Sequence, residues 1–500
     1  MTDDAHAVSA TAIAKGAGSM VLLRVAERII GFASFAVLAR LLRPDDYGLY
    51  ALALSISAIV ALAGNWGLDS ALIQRRGFDR DRYDTAWTSR VLLGMTVAAA
   101  IAAAASFVST LLDEPRIEAV LYVIALSTAI ASVENIGTVD FLKTLDYGRE
   151  LRYRLTIRVL ATAIAIAAAF AWQTYWALVA GNIAASVATV VLSYLAHPYR
   201  PRFSLAAFGA LMRFTRWVFM RNVLLSANEP VANLIVSRFA GIDALAYFTT
   251  ARQLADVATT DLYAPIRRAL FPAYAALSDD RAALKRVTLA STAMMLAVGL
   301  PISAGTAVVA PDAVRVLLGE RWLDVVPLLQ ILAIAGCVGS RVSAAPLLFV
   351  ALDRPDIAAK LAGLRFIVLV VFVSIGVHAA GALGAAWAIV AAAVVASFFN
   401  WRLVRAALAM SRAELWRVAF RPAVAAAIMV VVTFAFLASV PDAHTFASSL
   451  MRLAGASAIG ALAYALALLS SWQVAGRPDG PERHLLDALA TLRQRAAAAQ

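Results

Sequence analysis

The chain has 500 residues, of which 62% are hydrophobic and 15% are charged, and its mean hydropathy is +0.77. Because ordinary soluble domains carry about 25% charged residues, this composition excludes that class and predicts an all-α polytopic membrane protein. The net charge is +12. We exclude a nucleic-acid partner because the excess arginine lies in loops between apolar runs, where membrane topology requires it. The runs are continuous rather than alternating, which also argues against a β-barrel.

Fourteen segments along the chain are long and apolar enough to cross a bilayer, a task that needs roughly 20 residues. The predicted spans are residues 17–39, 47–73, 86–111, 118–139, 154–171, 176–195, 214–237, 244–266, 287–310, 325–351, 357–377, 383–401, 422–440 and 448–472. An even number of spans predicts that both termini lie on the same side of the membrane.

Lysine and arginine alternate between the loops that connect these spans. The basic-rich loops are residues 74–85, 140–158, 196–216, 267–286, 352–365 and 401–421, with 26 such residues in total. The basic-poor loops are residues 40–46, 112–118, 172–176, 238–243, 311–324, 377–383 and 441–447, with 6 in total. The positive-inside rule places the basic-rich loops and both termini in the cytoplasm. None of the predicted external loops is long enough to fold into a domain.

A weak internal repeat relates the two halves of the chain. The segment A-R-L-L-R-P-D-D-Y-G-L-Y at 39–50 aligns with S-R-F-A-G-I-D-A-L-A-Y-F at 237–248, so that Arg40 matches Arg238 and Asp45 matches Asp243. Repeated halves are typical of transporters that bind their cargo between them. The predicted organisation is a cytoplasmic N-terminus (1–16), an N-lobe of six spans (17–213), a C-lobe of six spans (214–404), two further spans (405–472) and a cytoplasmic tail (473–500).

The tail contains Leu485, Leu486, Leu489 and Leu492 at helical spacing. This pattern predicts a short amphipathic helix on the membrane or on the protein. A solvated, frayed end is an equally good interpretation.

Ionisable residues inside the predicted spans are the candidate functional residues, since each costs several kcal/mol in lipid unless it faces a cavity or a partner. Span 1 contains Arg24, Glu27 and Arg28 on one helical face, and Arg28 lies roughly 16 Å deep at 1.5 Å per residue. The alternative is structural: Arg24 extends to the interface, and Glu27 contacts Arg28.

Spans 7, 8 and 10 contain the other candidates. Their polar residues are Arg221, Asn228, Glu229, Arg252, Asp256, Asp261 and Arg341. The structural alternatives are a network of Glu229 with Arg221 or an asparagine, mutual neutralisation of Arg252 and Asp256 one turn apart, and extension of Arg341 to the interface.

A polar path lined by spans 1, 2, 7 and 8 is the simplest arrangement that accommodates these charges. Arginine binds phosphate through a planar fork, so Arg24, Arg28, Arg221 and Arg252 suit an anionic head group, with Arg341 as a further candidate. Glu27, Glu229, Asp256 and Asp261 nearly cancel that charge. Four residues nearer the predicted cytoplasmic ends are interpreted mainly as structural: Asp69, Arg90, Glu134 and Asp140.

No catalytic or metal-binding constellation emerges from the sequence. The five histidines are scattered, the single cysteine is Cys337, and there is no G-x-S-x-G, P-loop or H-E-x-x-H motif. We therefore expect a protein that is not an enzyme and has neither a metal site nor a cofactor. Transport would depend on an H+ or Na+ gradient, the membrane potential or the gradient of the cargo itself.

Several short motifs resemble those of the bacterial polysaccharide flippases, the Wzx-type branch of the multidrug/oligosaccharidyl-lipid/polysaccharide (MOP) exporter superfamily. They are L-A-R-L-L-R-P-D-D-Y-G-L-Y (38–50), W-G-L-D-S-A-L-I-Q-R-R (66–76), W-A-L-V-A-G (176–181), H-P-Y-R-P-R (197–202), R-R-A-L-F-P-A (267–273) and L-L-G-E-R-W (317–322). The resemblance extends over roughly residues 20–400.

This resemblance implies a MATE-like fold of two pseudo-symmetric six-helix lobes and two C-terminal helices in the bacterial inner membrane. It implies an oligosaccharide on undecaprenyl pyrophosphate as cargo, moved to the periplasmic leaflet by alternating access. The expected partners are the lipid-linked oligosaccharide, membrane lipids, and the polysaccharide polymerase with its chain-length and export machinery. No single residue matches a motif for ion coupling, and we expect Asp256 or Asp261 to serve as the coupling residue.

Three other functions compete with this one. A cation-coupled exporter of drugs or small metabolites would share the architecture, but an acidic, aromatic cavity would suit its cargo better than arginines. A polymerase or ligase would need a large periplasmic loop, and the longest external loop here is about 311–324. A lipid II flippase shares the superfamily, although the loop motifs favour the exopolysaccharide branch.

Overall fold

The computed structural model describes residues 10–64, 66–73, 79–144, 146–209, 219, 223, 226–258, 270, 272–339, 345–441 and 445–474, with the side chains of 10–25, 70, 71 and 258 excepted. Within these ranges the secondary structure is helical throughout. Three short 3-10 helices, Leu62–Gly64, Ile136–Thr138 and Glu320–Trp322, accompany the α-helices.

Sixteen α-helices make up the described chain. They are α1 (Ala10–Leu41), α2 (Pro44–Ala61), α3 (Leu68–Ile73), α4 (Arg80–Leu112), α5 (Arg116–Ser132), α6 (Val139–Lys143), α7 (Tyr147–Trp172), α8 (Trp176–Ala196), α9 (Asn228–Ala240), α10 (Ile242–Ala258), α11 (Arg281–Leu317), α12 (Val325–Gly339), α13 (Ala345–Ala351), α14 (Pro355–Leu408), α15 (Arg412–Ser439) and α16 (Phe446–Val474). Each of the fourteen predicted spans overlaps at least one of them.

Side-chain caps start several of the long helices, because the first backbone N–H groups of a helix have no partner within it. Asp79, Asp146 and Asp280 each accept a hydrogen bond from the first turn of α4, α7 and α11. Ser411 and Glu414 form a reciprocal capping box at α15. All four helices start in loops that the sequence analysis assigns to the cytoplasm, so these loops also fix where spans begin.

The chain divides into two units, Met1–Arg238 and Phe239–Gln500. In the first unit, α4 packs on α5 and α8 packs on both α5 and α7, while α1 packs on α7. Leu38 of α1 and Leu42, which directly follows that helix, meet Ala165 and Ala169 of α7 in one buried cluster. Asn233 of α9 donates a hydrogen bond to Ser55 Oγ at 3.0 Å, which ties α9 to α2.

The second unit repeats this order of elements. Helices α10, α11, α12 and α14 pack on one another as α2, α4, α5 and the α7–α8 hairpin do in the first unit. The fourth span of the first unit is interrupted between α5 and α6, where the chain bends by 66°. The internal repeat inferred from the sequence is therefore visible in the order of the helices. The predicted lobe limits, 17–213 and 214–404, were drawn from that sequence repeat and stay a prediction.

One unusually long helix, α14, contains two predicted spans. Ala380 and Gly381 depart from helical geometry, and Gly381 has a positive φ of 56°. A methyl group at Gly384 would overlap the carbonyl oxygen of Gly376, so the two segments approach each other across this break through glycine. The helix therefore reverses where the spans 357–377 and 383–401 were predicted to separate.

The last two helices extend the second unit. Both α15 and α16 pack on α11 and on each other. Arg452 of α16 pairs with the buried Asp312 of α11 at 3.3 Å and donates to the carbonyl oxygens of Val440 and Pro441. This ion pair attaches the additional helices to the repeated unit.

Eight described helices are long and apolar enough to cross a membrane, or nine if α5 and the bent segment after it count as one span. One of the eight is α14, which contains two of the predicted spans. The predicted fold class is confirmed: the chain is an all-α, multi-pass membrane protein.

Candidate functional site

The predicted site residues fall into two groups. Arg221, Asp261 and Arg341 lie outside the described residues, and Arg24 is described only as part of the backbone of α1. Their assignment to the site stays a prediction. The remaining candidates are on α1, α9 and α10, and each is described within its own unit.

On α1, Glu27 is half-buried and Arg28 is exposed. Glu27 interacts electrostatically with Arg154 of α7, the helix against which α1 packs. Arg154 also pairs with the buried Glu150 of its own helix. The carboxylate of Glu27 therefore has a cationic neighbour on another helix, Arg154, and a second one next to it in the sequence, Arg28.

On α9, Asn228 is half-buried and Glu229 is exposed, and both lie in the first turn of the helix. A carboxylate in the first turn of a helix is favoured by the helix dipole. Glu229 therefore has a local structural reason for its position.

On α10, Arg252 and Asp256 are half-buried and one helical turn apart. Arg252 Nε lies 3.8 Å from Asp256 Oδ2, so the alternative that the two residues pair is correct. The pairing is incomplete, because Arg252 Nη1 is buried and has no hydrogen-bond partner among the described residues. An unsatisfied buried guanidinium donor costs roughly 1–3 kcal/mol or more, which an arriving anion would recover.

A second arginine, which the sequence analysis did not select, joins this pair. Arg365 of α14 interacts electrostatically with both Arg252 and Asp256. Two guanidinium groups and one carboxylate carry a formal charge of 2 − 1 = +1. We call Arg252, Asp256 and Arg365 the arginine cluster; it is held by two helices that pack against each other in the second unit.

The first unit contains a contrasting network around Arg90 of α4. Arg90 Nη2 lies 2.5 Å from Glu134 Oε2, and Arg90 Nη1 lies 3.9 Å from Asp69 Oδ1. The Tyr153 hydroxyl of α7 lies 2.8 Å from Glu134 Oε1 and 3.1 Å from the carbonyl oxygen of Thr189, so its one proton is shared between these two acceptors. This Arg90 network joins α4 to the segment after α5 and to α7 and α8, as expected for the structural role predicted for Arg90 and Glu134.

Arg158 is the arginine of α7 whose position along the helix is closest to that of Arg365 along α14. It lies 158 − 147 = 11 residues after the start of its helix, and Arg365 lies 365 − 355 = 10 after the start of α14. Its guanidinium group packs over Gly31 of α1, where a Cβ atom would lie 2.6 Å from Nη2. Tyr50, which is hydrogen-bonded to Asn182, is also within its electrostatic range.

Arg158 and Arg365 had a signal in the sequence. Both were counted as basic residues of cytoplasmic loops, yet both fall inside predicted spans, at 154–171 and 357–377. An arginine that satisfies the topology rule can also be a site residue when it lies a few turns inside a helix. In the part of the chain that the structure describes, no group of three or more His, Cys, Asp or Glu side chains could hold a metal ion.

Comparison with known proteins relates the chain to a family. A family model described as "Polysaccharide biosynthesis protein" matches residues 37–327. The lipopolysaccharide biosynthesis protein WzxC of Escherichia coli (strain K12) is 23% identical over 359 residues, which cover 71% of this chain and 73% of WzxC. The succinoglycan biosynthesis transport protein ExoT of Rhizobium meliloti (strain 1021) is 22% identical over 66% of this chain and 67% of its own.

Two solved structures have a similar fold. The lipid II flippase MurJ in an inward closed conformation superposes with a TM-score of 0.73 at 12% identity, covering 91% of this chain and all of that one. An inward-facing multidrug resistance MATE transporter of the MOP superfamily superposes with a TM-score of 0.61 at 16% identity, covering 77% and 94%. The predicted MATE-like architecture is thereby confirmed.

Proposed function

Because the chain belongs to the polysaccharide biosynthesis protein family, we propose that it is a flippase for undecaprenyl-pyrophosphate-linked oligosaccharide. It moves this cargo from the cytoplasmic to the periplasmic leaflet by alternating access, for the synthesis of an exopolysaccharide, O-antigen or capsule. The names of WzxC and ExoT, which place those relatives in lipopolysaccharide and succinoglycan biosynthesis, support this assignment.

The arginine cluster is the observation that carries the proposal. Arg252 and Arg365 lie within apolar helices, Arg252 pairs with Asp256, and Arg365 is within electrostatic range of both. A pyrophosphate offers several acceptor oxygens, and guanidinium groups bind two such oxygens at once. Binding the diphosphate would satisfy the buried Arg252 Nη1 and offset the repulsion between the two arginines. An organic cation, the cargo of a drug exporter, would neither accept a hydrogen bond from Arg252 Nη1 nor offset this repulsion.

The other predicted arginines extend this proposal. Arg24, Arg28, Arg221 and Arg341 remain candidate ligands of the head group along the path predicted between spans 1, 2, 7 and 8. We assign the chain no catalytic role, since flipping requires binding and release of the cargo without covalent change.

We propose H+ or Na+ as the coupling ion. Asp256 is the described carboxylate best placed to respond to it, because neutralising Asp256 would leave Arg252 and Arg365 uncompensated and strengthen anion binding. Asp261 remains the second candidate. In proteoliposomes, an imposed pH gradient and an imposed Na+ gradient would identify the ion, and Asp256→Asn should abolish the stimulation if this carboxylate is the coupling group.

The proposed location is the bacterial inner membrane, with both termini in the cytoplasm. The single cysteine makes this testable, because Cys337→Ser removes every native thiol. A cysteine introduced at Asp279 should react with a membrane-impermeant maleimide only from the cytoplasm, and one at Thr174 only from the periplasm. The reverse pattern would overturn the orientation.

The function itself is tested in a strain that lacks the protein. Mass spectrometry of the polyprenyl-linked intermediates, combined with a membrane-impermeant glycosidase added from the periplasmic side, should find a complete lipid-linked repeat unit protected on the cytoplasmic face. An unchanged lipid pool would overturn the proposal and direct attention to small-molecule export. The polymerase and the chain-length and export machinery are proposed partners that act after the flipping step.

A further inference from the structure

A pocket in the second unit lies apart from the arginine cluster, where the last turns of α14 meet the start of α15 and the side of α11. Its volume is about 590 Å³. This is within the range of about 300–1,000 Å³ typical of pockets that hold one small molecule. It lies beside the basic loop 401–421, which the positive-inside rule assigns to the cytoplasm.

Three arginines line this pocket: Arg402, Arg405 and Arg412. Arg405 Nε donates to the carbonyl oxygen of Met410 at 3.3 Å, so its guanidinium group is held near the turn that connects the two helices. Among the described residues, neither Arg402 nor Arg412 forms an ion pair or a hydrogen bond. The lining contains no carboxylate, and its formal charge is +3.

Glu414 is the acidic residue closest in sequence to these three arginines, and its carboxylate interacts with other groups. Its carboxylate caps the first turn of α15 through the backbone N–H of Ser411 and pairs with Lys285 Nζ at 2.8 Å. Two interactions with one carboxylate leave little capacity to neutralise the pocket arginines. The positive charge of the pocket therefore lacks an internal counterion in the described part of the chain.

Apart from Thr292, the rest of the lining is apolar or aromatic. Trp416 and Phe398 are 65% and 61% exposed, and Trp401, Leu296 and Ala419 complete the wall. Tryptophan is enriched at the boundary between a bilayer and water, where its ring contacts acyl chains and its N–H contacts the head-group region. A soluble anion would gain nothing from this exposed aromatic surface.

We propose that this pocket binds an anionic glycerophospholipid. The phosphodiester lies between Arg402 and Arg412, and the acyl chains extend along Phe398 and Trp416. Basic pockets between membrane helices on the cytoplasmic side suit anionic head groups in this way. One phosphate and the first part of two chains match the volume, whereas the sugars of a lipid-linked oligosaccharide exceed it. The occupant is thus a lipid of the bilayer and not the proposed cargo.

Native mass spectrometry of the delipidated full-length protein tests this proposal. The protein is titrated with phosphatidylglycerol and with phosphatidylcholine of the same acyl chains. Each basic residue near an anionic lipid strengthens binding about fivefold, so Arg402→Ala/Arg412→Ala should weaken phosphatidylglycerol binding about 25-fold. Binding of phosphatidylcholine should weaken much less, because the choline cation of that head group already offsets the charge of its phosphodiester.

Matched controls separate the pocket from the general surface charge. Arg354→Ala/Arg417→Ala removes the same charge from exposed positions outside the pocket and should change phosphatidylglycerol binding less than twofold. Trp416→Ala should weaken the binding of both lipids a few-fold. Phe434→Ala removes an exposed aromatic ring further along α15 and should leave the binding of both lipids unchanged.

Three results would overturn the proposal. The first is a pocket variant whose affinity for phosphatidylglycerol stays within twofold of that of the wild type. The second is a control variant whose affinity for this lipid falls as much as that of the pocket variant. The third is displacement of the lipid by glycerol phosphate or by a polyprenyl-pyrophosphate sugar at equimolar concentration, which would assign the pocket to a soluble anion or to the cargo. Since lipid binding is measured without transport, failure of the proposed function leaves this test intact.

Discussion

The two units place arginines inside their apolar helices in different electrostatic surroundings. In the first unit, Arg90 meets Glu134 and Asp69, and Tyr153 donates to the same glutamate. In the second unit, Arg252 pairs with Asp256, and Arg365 is within electrostatic range of both. One arrangement uses its charges to join helices, and the other retains a net positive charge that suits an anionic ligand.

This difference shows how a repeated architecture can separate structural from functional roles. The helices of the two units follow the same order, so the backbone does not distinguish them. Among the described residues, the distinction comes from the number of carboxylates near each arginine. Formal charge is 1 − 2 = −1 for Arg90 with its two acidic neighbours and +1 for the arginine cluster.

The largest expected effect follows from removing an arginine of the cluster. Arg365→Ala should reduce polymer output about 10- to 100-fold, because a hydrogen bond between charged groups contributes about 1.5–3 kcal/mol. Complementation of a deletion strain measures the polymer, and an immunoblot of membranes should show unchanged protein. Arg354→Ala, at an exposed position just before the same helix, is the control and should retain full output.

The Arg90 network should respond differently. Glu134→Ala leaves the guanidinium of Arg90 without its closest partner and removes one of the two acceptors near the Tyr153 hydroxyl, so the free energy of unfolding should fall by about 1–3 kcal/mol. Thermal unfolding in detergent measures this loss. Polymer output should fall only in proportion to the amount of folded protein. A stable Glu134→Ala protein that has lost transport would place this network in the site and remove the contrast between the units.

An intermediate effect is expected where the last two helices join the second unit. Asp312 is 4% exposed and Arg452 is 12% exposed, so Asp312→Ala leaves a cation nearly buried. We expect a loss of about 1–3 kcal/mol in the free energy of unfolding and faster proteolysis near 441–445. Asp312→Ala/Arg452→Met should recover most of the stability. Equal proteolysis in both variants would show that the ion pair does not hold α16 on α11.

The smallest expected effect concerns a loop of the first unit. Arg116 bridges Glu114 and Asp45 at 2.7 and 2.9 Å, and its hydrogen bond lowers the pKa of Glu114. A lowered pKa means that this contribution is present above the ordinary glutamate pKa and is lost as the pH falls through the folded value. Arg116→Ala should therefore cost under about 1 kcal/mol at pH 7, and this difference should vanish in acid. Melting temperatures measured between pH 7 and pH 3 test this, and a difference independent of pH would contradict it.

Much of the fold could be predicted from the sequence because the lipid environment imposes simple rules. Spans need length and apolar composition, and Gly381 and the capping residues Asp79 and Asp280 set where helices turn or begin. The break between α5 and α6 was not predicted, although Glu134, Asn135 and Gly137 make this segment less apolar than the helix before it.

The candidate site was predictable only in part. Arg252 and Asp256 were selected because they lie mid-span, and their spacing of four also predicted the ion pair. Arg365 was missed because the topology rule already explained it, and its proximity to Arg252 depends on packing between helices over 100 residues apart. Pairing between distant helices leaves no periodic signal in one sequence.

The affinity of the purified protein for a short-chain polyprenyl-pyrophosphate oligosaccharide is the most direct test of the arginine cluster. The account predicts that Arg365→Ala weakens binding about 10- to 100-fold, and that Arg365→Lys restores only part of it because the bidentate fork is lost. The same lipid without its phosphates should bind the wild-type and Ala proteins equally. Equal affinity of the wild-type and Ala proteins for the pyrophosphate lipid would contradict the central claim.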